Sequence, residues 1–513
     1  MLLVHPSMIS KIDKYAAETL GIPTRTLMER AGKAVADAVR ACTNTGDSIA
    51  IFAGKGNNGG DGYAAALELM SDRDVTVYDV FSEGQRSEEG RFFLGAYVSV
   101  GGRISPLTLD RENMARIRKF ACIVDAVFGT GFTGDMPEIA VKLADFFASL
   151  DGVRKIAVDV PLGVDAACGA IKNGATYRAD ATVVLGFVKS GLVSYPAKEY
   201  VGKLIYDNIG LHTDAVIENF TFDTQFIDRE LACSLLPARE ENSSKGSFGK
   251  LMMLTGSSTY PGAAHLSLEA ALRSGVGYVT YVGEKELCDT LLLKLPEAIY
   301  KPFSLPAATE EDLDTLVRCS RSQSAILVGS GSSKSEGLFE LIKRLMREDG
   351  APLVLDADAI NVMAENPTLA RELIRSSQRK IILTPHPLEL SRISGIPTDT
   401  IQSNRLDIAV RFAYENNVVL VLKGAGTIIT DGNRTYINST GSSALAKAGS
   451  GDVLAGHLAA LAASGMDALR ASALAVYLHG LAADILAKEL SSFGVTPSDL
   501  PREIAKCIAK ITE

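Results

Sequence analysis

Asp452 closes the run Lys447-Ala448-Gly449-Ser450-Gly451-Asp452, where small residues and a carboxylate stand just ahead of a long apolar stretch with helical spacing. A glycine-rich turn that opens a helix leaves backbone N–H groups without intrahelical acceptors. The positive end of the helix dipole lies behind them, so the turn forms a pocket for an anion. A carboxylate beside a bound phosphate is repelled unless it has a task there. Taking the proton from a hydroxyl that attacks that phosphate is such a task. The competing account is structural, because an isolated aspartate here more often caps a helix than catalyses.

The first half carries further residues of this kind. The apolar run Ser48 to Ala53 ends in Gly54-Lys55-Gly56-Asn57-Asn58-Gly59-Gly60-Asp61-Gly62, and a helix is expected from Tyr63 to Met70. Strand, glycine-rich loop and helix in that order form a phosphate or dinucleotide cradle at the carboxyl edge of a parallel sheet. Ala121 to Asp125 runs into Phe128-Gly129-Thr130-Gly131-Phe132-Thr133-Gly134-Asp135, and Lys155 to Asp159 runs into Val160-Pro161-Leu162-Gly163. A carboxylate at the end of an apolar strand is costly unless it meets a ligand, a cation or loop amides. Asp125 and Asp159 are therefore candidate site residues, the alternative being that each only bonds the turn that follows it.

The elements that must position these residues follow from periodicity. Helices are expected over 8–20 and 24–42, and Ala181 to Phe187 finishes the first sheet. Between Leu211 and about Asp228 the periodicity fades, which divides the chain into domains at 1–215 and 225–513. In the second half, Leu251 to Thr255 leads into Gly256-Ser257-Ser258-Thr259-Tyr260-Pro261-Gly262-Ala263-Ala264 and a helix through Arg273. Ala325–Val328 leads to Gly329-Ser330-Gly331, and Pro352–Leu355 to Asp356-Ala357-Asp358-Ala359-Ile360-Asn361. Ile381–Thr384 leads to Pro385-His386-Pro387-Leu388-Glu389, and Val418–Leu422 to Lys423-Gly424-Ala425-Gly426-Thr427. Apolar strands that each stop in a polar or glycine-bearing loop suggest one parallel sheet with a shared ligand edge.

Composition narrows the function classes. A chain of 513 residues with 47% hydrophobic and 22% charged residues and 46 glycines is expected to be a soluble α/β protein of more than one domain. A formal charge of −9 argues against nucleic acid as the partner and leaves anionic small molecules, which local amides and single cations can hold. Seven scattered cysteines, never spaced as CxxC, suggest reduced thiols in a cytoplasmic protein. Neither a signal peptide nor a run of about 18 apolar residues is evident, so no membrane association is expected.

Leu27-Met28-Glu29-Arg30-Ala31-Gly32, the NNGGDG segment, DAVFGTGFTGD and the DVP segment together resemble the YjeF amino-terminal family, the NAD(P)H-hydrate epimerases. The resemblance implies a Rossmann-like three-layer domain. In it Asn57, Asn58, Gly59, Gly60 and Asp61, with Gly129, Thr130, Gly131, Phe132, Thr133, Gly134 and Asp135, hold the hydrated dinucleotide. Asn58 and Asp125 would ligate a potassium ion. The family usually has Ser or Thr after the DxP proline, and here Leu162 could serve only through its backbone carbonyl. Asp159 would be the catalytic acid–base group near the reacting carbon. The second half resembles the ribokinase-like superfamily, in its ADP- or ATP-dependent NAD(P)H-hydrate dehydratase branch, through KGSFGK, YPGAA, DADAIN, TPHPLE, KGAGT and the run from Thr440 to Asp452. That implies a ribokinase-like α/β domain. Lys423, Gly424, Ala425, Gly426, Thr427 and Gly451 would contact the adenine nucleotide; Ala263, Gly331, His386 and the catalytic Asp452 would contact the hydrated cofactor. Magnesium is expected from the nucleotide chemistry. The implied whole is a bifunctional repair enzyme, expected as a homo-oligomer, that epimerises hydrated NAD(P)H and dehydrates the S epimer at the expense of ADP or ATP. The alternatives are a small-molecule kinase of the hydroxyethylthiazole or pyridoxal type with an ancillary dinucleotide-binding domain, and a first half that only binds or oligomerises.

Overall fold

The computed structural model describes residues 1–81 and 84–512. It divides into two compact units, one of Leu2–Thr224 and the other of Met1 with Gln225 onward.

The first unit is built on a seven-stranded sheet. Its spatial order is Arg103–Pro106, Asp74–Asp79, Ser48–Ala53, Cys122–Ala126, Arg154–Val158, Ala181–Leu185, Lys203–Asp207. Every pairing is parallel. Side chains alternate across the pleat, so Ile49, Ile51 and Ala53 enter the core under the helices Thr24–Arg40 and Asn57–Leu69. Ala50 and Phe52 enter the opposite core, under the helix Glu138–Ala148. Both faces are covered, which is why these strands are continuously apolar. The chain starts in mid-sheet, winds outward to Arg103–Pro106, then crosses back to Cys122–Ala126. The order therefore reverses between Ser48–Ala53 and Cys122–Ala126, where doubly wound sheets bind ligands.

The helix after the first strand starts at Asn57, so the NNGGDG run is its first turns rather than a loop before Tyr63. Glycine is a poor helix former in isolation, and packing overrides that here. A Cβ on Gly59 would stand 2.0 Å from Gly54 O, so glycine there lets the helix start pack against the end of the preceding strand.

The sheet of the second unit includes, in spatial order, Thr435–Asn438, Ile428–Thr430, Val419–Leu422, Ile381–Leu383, Leu353–Leu355, Ala325–Val328, Lys250–Leu254, Tyr278–Gly283 and Ile299–Pro302. It is parallel from Val419–Leu422 to Ile299–Pro302, as expected for the strands read from the sequence, and the hairpin Ile428–Thr430 with Thr435–Asn438 adds an antiparallel portion that the sequence reading did not include. A short turn joins those strands, and a parallel crossover needs a dozen or more residues. Here the order reverses between Lys250–Leu254 and Ala325–Val328. One face is covered by the helices Pro261–Leu272, Ser450–Ala463, Ala468–Gly494 and Leu500–Thr512. Ala468–Gly494 is long and apolar enough to cross a membrane by composition, but 78% of its most apolar window is buried inside the structure, as in a core helix.

Candidate functional sites

In the first unit a cavity of about 1010 Å³ opens at the reversal point. Asn57, Asn58, Asp61, Gly129 to Gly134 and Asp159 line it, so most of the expected substrate contacts come together. Gly54 makes this possible: a Cβ there would meet Val127 O at 1.9 Å, and the two loops at the reversal could not close on each other. Gly59 and Gly60 are buried in packing on the helix side, and Asp135 is exposed. Phe128 and Phe132 stack at 3.8 Å between centroids, and Phe81 stacks on Phe128 at 5.7 Å, which builds an aromatic wall suited to a flat ring. Lys55 lies over Phe81 and Lys172 over Phe132.

Asp159 sits at the strand end with φ 64, in the left-handed region that costs a non-glycine residue energy. Its Oδ1 accepts hydrogen bonds from Leu185 N at 3.2 Å and from Lys189 Nζ, an ammonium that also donates to Leu185 O at 2.8 Å. Lys189 was not singled out in the sequence; it follows a strand as an ordinary surface lysine would, yet it is 1% exposed. Asp13 was also missed. It lies on the amphipathic helix Pro6–Glu18 and lines the same cavity. Its carboxyl is pushed up to about 6 by burial, against the Lys189 ammonium and with the Asp159 charge. The parallel bridge between Val4 and Lys189 anchors the start of this helix segment beside the lysine. Asp61 rises well above the ordinary carboxylate range, through burial and then the charges of Asp159 and Asp13.

Asp125 is wholly buried and does not line this cavity. Its Oδ2 accepts from Leu162 N at 2.7 Å and Tyr177 Oη at 2.8 Å, and its Oδ1 from Val127 N at 3.2 Å. Burial pushes it up to about 6 in spite of these donors. Asn58 gives its amide nitrogen to Phe128 O at 2.9 Å, which leaves its amide oxygen as an acceptor. The Leu162 carbonyl accepts from Thr176 Oγ1 at 2.8 Å and keeps a second lone pair. An amide, a carboxylate and a carbonyl oxygen make an all-oxygen set suited to a hard cation.

In the second unit Gly449, with φ 101, is the N-cap of Ser450–Ala463, so Ser450, Gly451 and Asp452 are its first turn. Asp452 is therefore the third helical residue rather than the capping one, which removes the structural alternative of an N-cap aspartate. Ser450 N reaches Lys447 O at 3.3 Å and Val453 N reaches Gly449 O at 3.2 Å, while the N–H groups of Gly451 and Asp452 occupy positions with no intrahelical acceptor. A Cβ on Gly451 would lie 3.6 Å from Lys423 Nζ, so the ammonium stands at the open turn.

Lys423 donates to Asp356 Oδ1 at 2.9 Å and lies 3.9 Å from Glu389 Oε2. Asp356, 1% exposed, also accepts from Ser330 Oγ at 2.8 Å and Thr384 Oγ1 at 2.7 Å. The Asp452 carboxyl is pushed up to about 7 by burial and by the Asp356 charge, with Lys423 opposing. His386 caps Pro387–Ser394, its Nδ1 accepting from Glu389 N at 3.3 Å, and burial followed by the Lys423 charge lowers its pKa. Ala263 and Gly331 meet where the sheet order reverses: a Cβ on Gly331 would be 2.5 Å from Ala263 Cβ. The Lys423–Thr427 segment is a tight turn closed by Thr427 Oγ1 donating to Gly424 O at 2.8 Å.

Residues 24–191 match the family of YjeF-related protein amino termini, and residues 251–506 match that of NAD(P)H-hydrate dehydratases. A bifunctional NAD(P)H-hydrate repair enzyme of Moorella thermoacetica is 33% identical over 515 residues, covering 98% of this chain and 95% of that protein. One of Thermofilum pendens is 32% identical over 520 residues, covering 100% of this chain and 97% of that protein. Among solved structures, a ribokinase-like superfamily protein of Enterococcus faecalis shares the fold, with a TM-score of 0.50 and 24% identity over 57% of this chain and 98% of that one. With both halves matched in order and the whole length aligned, this chain belongs to the family of bifunctional NAD(P)H-hydrate repair enzymes.

Proposed function

We propose that the first unit, as a domain of residues 1–215, interconverts the two epimers of hydrated NAD(P)H, and that the second, residues 225–513, dehydrates one of them with ADP or ATP as phosphoryl donor. The observation that carries the second half is the Asp452 carboxyl, held at about 7 in the first turn of a helix beside the Lys423 ammonium. A base of that pKa is half-ionised near neutrality, where general-base catalysis works best. Hydroxide leaves a hydrated dihydropyridine ring poorly and phosphate leaves well. Asp452 takes the proton of the ring hydroxyl, whose oxygen attacks the terminal phosphorus; the bridging P–O bond breaks and the nucleotide departs one phosphate shorter. The ring nitrogen then drives out phosphate as the C–O bond breaks, a neighbouring C–H proton is lost, and NAD(P)H is restored. The open N–H groups of Gly451 and Asp452, with Lys423, meet the negative charge of the transferring group.

Magnesium fits as an ion carried on the nucleotide phosphates. Among the described residues no group of three or more His, Cys, Asp or Glu is spaced to hold a metal of its own. Lys423 to Thr427 and Gly451 bind the nucleotide; Ala263, Gly331 and His386 bind the hydrated ring system. In the first unit Asp159, oriented by Lys189, moves the proton that accompanies inversion at the hydroxyl-bearing carbon. Asn58, Asp125 and the Leu162 carbonyl are the groups that would hold potassium, and its charge would favour binding of the anionic dinucleotide. The test is to supply hydrated NADPH of mixed stereochemistry with ADP or ATP and follow the absorbance of the reduced ring. Complete recovery requires both activities, recovery that halts near half requires only dehydration, and a stable phosphoester with no recovery would instead indicate a small-molecule kinase.

A further inference from the structure

The strand Val419–Leu422 delivers Lys423 to its turn, and the main chain of that lysine is gripped from both sides. Its N–H donates to Pro385 O at 2.9 Å, and its carbonyl accepts from Arg405 Nη2 at 3.3 Å. The same nitrogen donates to Leu422 O at 3.2 Å, while Arg405 Nη1 donates to Gln402 Oε1 at 3.2 Å. Arg405 opens the helix Arg405–Asn416 and is 4% exposed. Gly424 lets its guanidinium in: the glycine has φ 139, and a Cβ there would stand 2.7 Å from Arg405 Nη1. The guanidinium therefore lies against three successive residues, Leu422, Lys423 and Gly424, where the strand passes into the turn.

Among the described residues no anionic group balances this charge. Gln402 is neutral, the other two acceptors are main-chain carbonyls, and Nε is buried without a partner. Burial alone lowers the pKa, to about 10, so the group stays charged near neutrality. A buried cation without a counter-charge is costly, and a bound phosphate would supply the missing negative charge. Arg379 shows the purely structural version of the same residue. It is 3% exposed and donates to Leu345 O at 2.7 Å and Ala351 O at 3.2 Å, but the charges of Glu348 and Asp349 oppose its desolvation. It stands just ahead of the strand Ile381–Leu383, at the edge of the sheet opposite the turns.

We infer that Arg405 is a positioning residue for the nucleotide: it fixes the main chain of Leu422 and Lys423 and places beside the Lys423–Thr427 turn a positive charge that bound phosphate balances. The inference rests on the reading that this turn holds the adenine nucleotide. Arg405→Met should raise the KM for ADP or ATP by about tenfold or more, with kcat at saturation within about threefold of the parent chain, because the turn holds the nucleotide alike before and during transfer. The rise in Tm at a fixed nucleotide concentration should shrink in step. Arg405→Lys keeps the charge on a stem one bond shorter, so its KM should lie between the two, at least about threefold above the parent. Arg379→Met should lower Tm and leave the nucleotide KM in place. An Arg405→Met chain with the parent KM, or one whose kcat falls while KM holds, overturns the inference; if that chain does not fold, a parent KM in Arg405→Lys overturns it instead. Lys423→Met separates the two levels. If it reduces the nucleotide-dependent rise in Tm while the Arg405 variants leave that rise in place, the role of Arg405 is wrong and the turn stands; if none of these variants changes it, the nucleotide does not bind at this turn.

Discussion

At position 452 the requirements of the proposed catalysis and of stability oppose each other. A carboxyl at about 7 in the folded chain, against an ordinary value of 3.8, binds its proton more tightly when folded. Stability is therefore greatest below the unfolded pKa and falls as pH rises from 3.8 through about 7. Asp452→Asn removes that loss, and should raise stability at about pH 8 by roughly 1–4 kcal/mol with little change near pH 4. Its dehydratase turnover should drop on the order of a hundredfold or more while nucleotide still binds. Denaturant midpoints of the transition that nucleotide shifts, measured across that pH range, check the first part, and single-epimer turnover checks the second. In the parent enzyme kcat/KM for dehydration should rise with pH and level off above about 7. Asp159→Asn acts on the other reaction: it replaces the carboxylate that Lys189 holds, so epimerisation should fall by at least about a hundredfold while dehydration of the accepted epimer continues. An NMR assay of epimer exchange in that variant would show exchange near the parent rate if Asp159 is not the acid–base group.

Among elements, the tight approach of two loops matters more than any one side chain. Gly54→Ala would drive a methyl into Val127 O, 1.9 Å from the ideal Cβ, and so part the two loops at the sheet reversal. The first unit should lose about 1–3 kcal/mol and most epimerase activity, with dehydration unchanged; coupled assays on one preparation compare the two directly. The strands that bear Asp125 and Asp159 were legible because a strand buried on both faces reads as an unbroken apolar run. Their reactive ends were legible because a charge ending such a run is costly. The helix start at Asn57 was not, since intrinsic propensity misjudges a glycine such as Gly59 whose reason is packing against the Gly54 backbone. Nor were Lys189 and Asp13, whose sequence surroundings are those of exposed residues; only the bridge from Val4 to Lys189 brings that helix and that lysine to one cavity. The pairing of Lys423 with Asp356 escaped for a similar reason, because their strands are neighbours only through Ile381–Leu383.

On the scale of the whole molecule, each unit has its own core and its own sheet reversal, and all the groups proposed for one reaction lie within one unit. Nothing in the proposed chemistry requires a group from the other unit, and the hydrate released by one site is a stable, diffusible molecule rather than a reactive intermediate that must be kept from water. Two defective chains should therefore complement each other. Asp159→Asn alone should leave recovery from a mixed hydrate pool near half, and Asp452→Asn alone should give almost none. An equimolar mixture should reach complete recovery, at about half the parent rate per total chain if every site works independently. Absorbance recovery with ADP or ATP in excess measures this, and varying total protein at fixed hydrate separates free diffusion from transfer within one chain. A mixture that stalls near half would mean that the epimer must pass from one site to the other within a single molecule.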